Sequence, residues 1–191
     1  EEAKFTSAID MNYRNGKFNF FGNWGHNTSK NQNYGRIFRP DDTSEQFFDI
    51  LDKRRSNLFK VGVDFYLNDK NTLSVFTNQN LFEGGTDGLT SVFYYNNPAF
   101  NQQQLFNAVS DNRSSQYNFD YKLDFEKEGH NIELEADYNT FTDDQDIDFN
   151  FTGNAFLDNY EDASDTDRDR LTVNLDYVNP LNESTKIELG A

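Results

Sequence analysis

Apolar and polar side chains alternate one for one through many stretches of this chain, the period that sends successive side chains to opposite faces of a β-strand. Tyr117, Phe119, Tyr121, Leu123 and Phe125 share one face, while Asn118, Asp120, Lys122 and Asp124 take the other. Ile132, Leu134, Ala136 and Tyr138 stand in the same way against Glu133, Glu135, Asp137 and Asn139, and Leu171, Val173, Leu175 and Tyr177 against Thr172, Asn174 and Asp176. Phe59, Val61, Val63 and Phe65 oppose Lys60, Gly62 and Asp64. Fainter copies run from Phe5 to Tyr13, from Phe18 to Trp24 and from Leu73 to Thr77, and a last one begins at Lys186. The pattern predicts about eight strands, each near the nine to eleven residues that a tilted membrane strand requires.

The connections alternate between short and long. Short turns are expected at 14–17, 67–71, 127–131 and 179–184, where Asn-Gly, Asn-Asp and Gly-containing runs suit tight hairpins. Between them lie polar segments, Asn27 to Arg55, Glu83 to Arg113 and Asp143 to Asp169, far longer than ordinary hairpin loops. Long excursions on one side only are the pattern of an outer-membrane barrel, with short turns at the periplasm and long loops outside. The expected fold is therefore all-β: an antiparallel transmembrane β-barrel with about eight strands in this chain. Rings fit two girdles, Tyr13, Phe18, Phe65, Tyr66, Phe125 and Tyr177 beside the short turns and Trp24, Phe59, Tyr117 and Tyr138 near the long excursions. The competing explanation is the general liking of strands for aromatic residues.

Composition agrees with a sparing use of apolar residues in strips. The chain has 191 residues, a formal charge of -16 and a mean hydropathy of -0.90, yet it holds 20 Phe and 10 Tyr, too many rings for a disordered acidic tail. It has no cysteine, which removes disulfides and thiolate metal sites. Its start, EEAKFTS, is neither basic nor apolar, so no signal peptide is expected within it, and no run of residues is long and apolar enough for a helical span. The acidic balance argues against nucleic acid as a partner.

Three stretches, NYRNGKFNFFGNW from Asn12 to Trp24, KVGVDFYLNDKNTLSV from Lys60 to Val75, and LDYVNPLNESTKIELG from Leu175 to Gly190, resemble hairpins of the Bacteroidetes-type outer-membrane receptor barrels that are similar to TonB-dependent receptors. The resemblance implies a larger barrel of about 22 strands, of which residues 1–191 would be one partial barrel domain, an N-terminal plug domain not seen in this sequence, and energy delivered through TonB. It also implies a nutrient receptor in the bacterial outer membrane that performs no chemistry and needs no cofactor, surrounded by outer-membrane lipid and lipopolysaccharide and served by a surface lipoprotein. The alternatives from other classes are a passive porin or structural barrel subunit of an envelope assembly, and a secreted carbohydrate-binding β-sandwich.

Candidate residues fall into four groups. Asp64, Asp120, Asp124, Glu133, Glu135, Asp137 and Asp176 are expected to face the lumen, as a cation-favouring wall or as an ordinary wet face, and a catalytic use of Glu133 and Glu135 is disfavoured because both sit on one open wall. Arg54, Arg55, Arg113, Arg168 and Arg170 precede the inward-going strands, where guanidinium groups would suit lipopolysaccharide phosphates or loop aspartates. Phe93, Tyr94, Tyr95, Phe100 and Phe106, set among amides, suit capture of a sugar, peptide or extracellular partner, or packing among loops. Asp144, Asp146 and Asp148, and Asp165, Asp167 and Asp169, have the spacing of early calcium ligands but lack the Gly and Glu of an EF-hand, so no metal site is assigned. His26 and His130 lie at opposite strand ends and are expected to share no site.

Overall fold

The computed structural model describes residues 3–41, 43–153, 157–182 and 184–191. They form eight antiparallel strands in simple up-and-down order: β1 (Lys4–Asn15), β2 (Phe18–Arg39), β3 (Ser44–Asn68), β4 (Asn71–Tyr94), β5 (Gln102–Asp124), β6 (Asn131–Thr152), β7 (Tyr160–Asn182) and β8 (Thr185–Gly190). Each strand pairs with the next, β1 and β8 are not paired with each other, and the sheet is open. A single 3-10 turn at Pro98–Phe100 is the one helical element among the described residues.

The short turns are built as their sequences require. Gly16 and Gly129 adopt positive φ, +58° and +73°, where a side chain would strain the backbone. Asn68 Oδ1 accepts the backbone N–H of Lys70 at 2.9 Å and Asn182 Oδ1 that of Ser184 at 3.0 Å, closing two Asx turns. Glu183, in the last expected turn, and residues 42 and 154–156, within two of the expected excursions, lie outside the described residues.

The long excursions exist on one side only, as expected, but they are not irregular loops. β2 to β7 run for 22 to 25 residues, about twice the length needed to cross a membrane, and the connections at the far ends shrink to residues 40–43, 95–101 and 153–159. The polar segments continue the ladder without a break in register, with Lys30 opposite Lys53, Arg55 opposite Glu83 and Asp144 opposite Asp165. Backbone groups in a long excursion must find partners, and pairing with the adjacent strand supplies them all along. What looked like loop composition is the composition of a strand with water on both faces.

The pleat sorts the residues as the alternation demands. Following the register from strand to strand, Phe20, Val63, Val75, Phe119, Ala136 and Val173 form one cross-strand row on the apolar face. Asn19, Asp64, Ser74, Asp120, Glu135 and Asn174 form the neighbouring row on the polar face. Burial is inverted relative to a soluble protein. Val61 is 61 % exposed, Val173 54 % and Phe119 40 %, while Asp64, Asp120 and Asp137 are half-buried. Val92 is the one apolar residue that is fully buried among those described. A continuous apolar face without a cover opposes the hydrophobic effect in water by about 25 cal/mol per Å². It therefore belongs against hydrocarbon. Among the described residues all eight strands lie in one sheet and no second sheet packs on its apolar side, which counts against the β-sandwich alternative.

Both expected girdles are present on the apolar face, with one correction. Phe18 stacks on Phe65 at 4.6 Å beside the short turns, and His130 meets Phe125 at 4.1 Å. Trp24 is paired with Phe59, and Tyr117 stacks on Tyr138 at 6.3 Å, at the other boundary of the band. Tyr66 belongs to the polar face instead: the bulge between Tyr66 and Asn68 follows it, and its ring lies under the Arg14 guanidinium at 4.5 Å.

Candidate functional site

All seven carboxylates expected on the wet wall share the polar face, since Asp64, Asp120, Glu135 and their neighbours Asp124, Glu133, Asp137 and Asp176 occupy positions of one parity along the paired strands. They are knit to amides and hydroxyls more than to cations. Asn19 Nδ2 and Ser74 Oγ donate to Asp64 at 3.0 and 2.8 Å, Asn118 donates to Asp137, and Asn23 donates to Asp10. Carboxylate oxygens of Asp120, Glu133 and Glu135 lie within 4.8 Å of one another, close enough to share a hard cation or a proton. Lys60 stands over two rings, 4.6 Å from Phe76 and 5.6 Å from Phe21. Gly62 permits this arrangement, because a Cβ there would meet Phe21 Cζ at 2.4 Å and Phe76 Cβ at 2.5 Å.

Beyond the apolar band the polar face becomes aromatic. Phe106 lies across Gly88, where a Cβ would meet its ring at 2.0 Å, and continues into Phe149 at 6.2 Å, Tyr160 at 4.6 Å and Phe151 at 6.1 Å. Phe48 covers Gly35 in the same manner. Rings lying flat over glycines leave the space above the sheet open and present a shallow aromatic floor. A recess of about 510 Å³ lies at the ends of β6 and β7, lined by Phe149 and Tyr160 together with Asp148, Asn150 and Glu161 of the opposite parity.

The five expected ligand-binding rings do not form one cluster. Phe106 belongs to this floor. Tyr94 packs edge-on to Phe100 at 6.3 Å, Phe93 lies on the opposite face against Phe47 at 5.9 Å, and the Tyr95 phenol donates to Glu45. Glu45, 3 % exposed, also pairs with Arg36, and Tyr95 N–H donates to Thr43 O at 3.1 Å, so one buried carboxylate ties two hairpin tips together. The alternation missed Phe149, Phe151 and Tyr160 because their segment looked like loop. Yet Gln145, Ile147, Phe149 and Phe151 alternate with Asp144, Asp146, Asp148 and Asn150, and the i, i+2 spacing of those aspartates is strand periodicity, not a ligand loop.

Register also divides the arginines. Arg55 and Arg113 extend the apolar face past its upper girdle, whereas Arg54, Arg168 and Arg170 have the opposite parity and stand on the polar face, Arg168 above Phe141 at 4.5 Å. Those three are therefore turned away from surrounding lipid, which corrects their expected contact with lipopolysaccharide. Asp144, Asp146 and Asp148 together with Asp165, Asp167 and Asp169 make a carboxylate patch on the side of the apolar face. Crowding and the charges of Asp165, Asp111 and Asp167 hold the Asp144 carboxyl above the ordinary carboxylate range. Asp87 moves the other way, held low by hydrogen bonds from Lys53 and Asn107. His26 meets Asn57 at 2.9 Å and His130 meets the Tyr177 hydroxyl at 3.1 Å, at opposite ends of the sheet as expected.

Comparison with known proteins agrees with this geometry. The model of the outer membrane protein beta-barrel family matches residues 123–191. No curated protein matches the chain in sequence. Among solved structures, the ferric yersiniabactin uptake receptor FyuA from Yersinia pestis aligns over 98 % of the chain at 8 % identity with a TM-score of 0.63. The ferric citrate transporter FecA in its unliganded form aligns over 98 % at 10 % identity with a TM-score of 0.55. The chain spans 27 % and 26 % of the lengths of those two proteins. The fold is thus that of a wall of an outer-membrane β-barrel, similar to the barrels of TonB-dependent receptors, and its place is the bacterial outer membrane. The apolar face points outward to lipid, and the polar face points inward.

Proposed function

We propose that this wall belongs to a TonB-dependent receptor that binds a nutrient at its extracellular side and admits it through the lumen, with energy supplied through a plug domain and TonB. The observation that carries the reading is the inward face itself. A carboxylate and amide wall at membrane depth leads up to the aromatic floor of Phe106, Phe149, Phe151 and Tyr160, a sequence of surfaces suited to capture above and passage below. Rigid rings lying flat on the inward face fit a ligand with flat apolar faces, such as a sugar or an aromatic chelate. The residues hold and orient the ligand, and no bond in it is broken. Arg113, and Arg55 beside its partner Glu83, lie just above the upper girdle, a height at which guanidinium groups suit lipopolysaccharide phosphates. A Bacteroidetes origin and a surface lipoprotein partner fit the hairpin motifs.

The test uses the full-length protein and a strain lacking it. Growth on sole nutrient sources should fail for one class of nutrient in the deletion strain, and a protonophore should abolish the uptake that the protein restores. In planar bilayers the plugged receptor should not conduct ions steadily. Uptake indifferent to the protonophore, together with a constant open conductance, would establish the passive porin instead.

A further inference from the structure

The outward face carries a second apolar surface, separate from the lipid band. Above Phe59 the outward residues of β3 turn polar through Asn57, Arg55 and Lys53, then apolar again at Leu51 and Phe47. Leu89 on β4 and Leu105 on β5 adjoin them, with Tyr34 and Phe93 at the rim. Leu105 is 49 % and Tyr34 77 % exposed. Leu51, Leu89 and Leu105 line a recess of about 590 Å³ edged by Asp49, Asp87 and Asn107.

Lipid chains do not cover this surface. Leu51 lies eight residues beyond Phe59, about 27 Å along the strand and roughly 20 Å in height once strand tilt is allowed for. The headgroup layer adds only about 5–8 Å to the hydrocarbon on each side. Neighbouring strands of a larger barrel would extend the sheet sideways from β1 and β8, well away from β3 to β5. The occupant therefore approaches the wall laterally, outside the membrane.

We propose that the occupant is a second copy of this protein, in a side-by-side dimer whose two-fold axis runs along the membrane normal through β4. Copies in one membrane share orientation and depth, so a patch at a given height meets its equivalent without further search, and two cylinders touch along a strip a few strands wide. The flanks carry the specific argument. On one side of β4 the outward face presents Lys30 on β2 and Lys53 on β3; on the other it presents Asp144, Asp146 and Asp148 on β6, with Asp165 and Asp167 behind them on β7. A two-fold axis through β4 sets the β2 and β3 flank of one copy opposite the β5 and β6 flank of the other, so the lysine-bearing flank faces the carboxylate flank twice over. Among the described residues the Lys30 side chain is exposed and makes no hydrogen bond or ion pair, and Lys53 holds Asp87 only in an exposed pair that water screens. Both are available to a partner. The inference does not depend on what the receptor transports.

The full-length protein in its own outer membrane provides the test. Leu89→Cys, next to the axis, should yield a disulfide-linked homodimer on mild oxidation, whereas Val173→Cys, exposed to lipid on β7, should not. In mild detergent, Lys30→Glu with Lys53→Glu should weaken dimerisation about tenfold, as should Asp144→Lys with Asp146→Lys, and combining all four should restore it. All these positions are exposed on the outward face, and the shift in gel mobility between heated and unheated samples verifies that each variant has folded. Folded Leu89→Cys protein that stays monomeric, or cross-links to a different protein, overturns the proposal. So does a four-fold variant no better than either pair of reversals.

Discussion

The lower and upper halves of β3 share one backbone, one pleat and one unbroken ladder, yet their outward faces obey different rules. Below, Phe65, Val63, Val61 and Phe59 follow one another without exception; above, Asn57, Arg55, Lys53, Leu51, Asp49 and Phe47 mix charge and apolar surface. The inward face changes in the opposite sense, from Asp64, Gly62 and Lys60 below to Ile50 and Phe48 above. Hydrocarbon on one side and a wet lumen on the other impose a strict alternation, because a polar group in lipid has no water to bond. Water on both sides imposes nothing. An apolar side chain in the upper half therefore has a local reason, either a ring covering a glycine or a surface waiting for protein.

Two valines put the contrast to the test. Val173 and Val109 both point outward, and they are equally exposed, 54 % and 56 %, but the first lies inside the apolar band and the second above it. Val173→Arg should destabilise the barrel by about 2–4 kcal/mol, the depth-dependent cost of a guanidinium facing lipid, while Val109→Arg should change folding by less than about 1 kcal/mol. Denaturant titration of the full-length barrel folding into vesicles gives both numbers. Equal costs at the two positions would remove the solvent boundary on which the comparison rests.

The glycines sharpen it on the inward side. At Gly62 a new Cβ would press on Phe76 Cβ, an atom fixed to its backbone, so Gly62→Ala should cost about 1–3 kcal/mol through overpacking. At Gly88 the obstacle is only the Phe106 ring, which can swing off the sheet into water. Gly88→Ala should leave stability within about 1 kcal/mol of the parent. It should, however, break the Phe106 and Phe149 contact and with it the aromatic floor, so loss of ligand uptake without loss of folding is the expected signature.

The same solvent difference decides which parts of the fold and of the site are legible in the sequence. Every strand inside the band was legible, together with its face and the short turns, since Phe119 and Asp120 or Val173 and Asn174 sit on opposite sides of a sharp boundary. That Asp64, Asp120, Asp124, Glu133, Glu135, Asp137 and Asp176 share one face is legible for the same reason. In the extensions the boundary is gone. Asp144 to Phe151 reads as loop because its aspartates mask the alternating rings, and distance from a turn does not fix the face of Arg54, Arg168 and Arg170, which parity along the strand decides. Glu45 gave no local signal at all, since its partners Arg36 and Tyr95 are brought to it by two different hairpins. The outward patch required the register of three strands at once.

The smallest expected effect compares two carboxylates within the upper half. Asp87 is held low by Lys53 and Asn107, so its contribution to stability is present above the ordinary carboxylate value of 3.8 and fades as pH falls through its lowered pKa. Asp144 is held high by crowding and by Asp165, Asp111 and Asp167, so the folded state takes up its proton before the unfolded state does. Its repulsion is present at neutral pH and is relieved as pH falls through the raised pKa toward 3.8. Hydrogen exchange, corrected for intrinsic rates, should show β6 and β7 near Asp144 growing more protected as pH drops from neutrality, with no gain near Asp87 over the same range. Asp144→Asn should raise protection of β6 and β7 at neutral pH and flatten its pH dependence, and added salt should mimic part of that gain by screening the cluster. Protection that fell at Asp144 on acidification would mean that its neighbours hold a compensating charge, and the carboxylate flank would then be neutral rather than acidic toward whatever meets it.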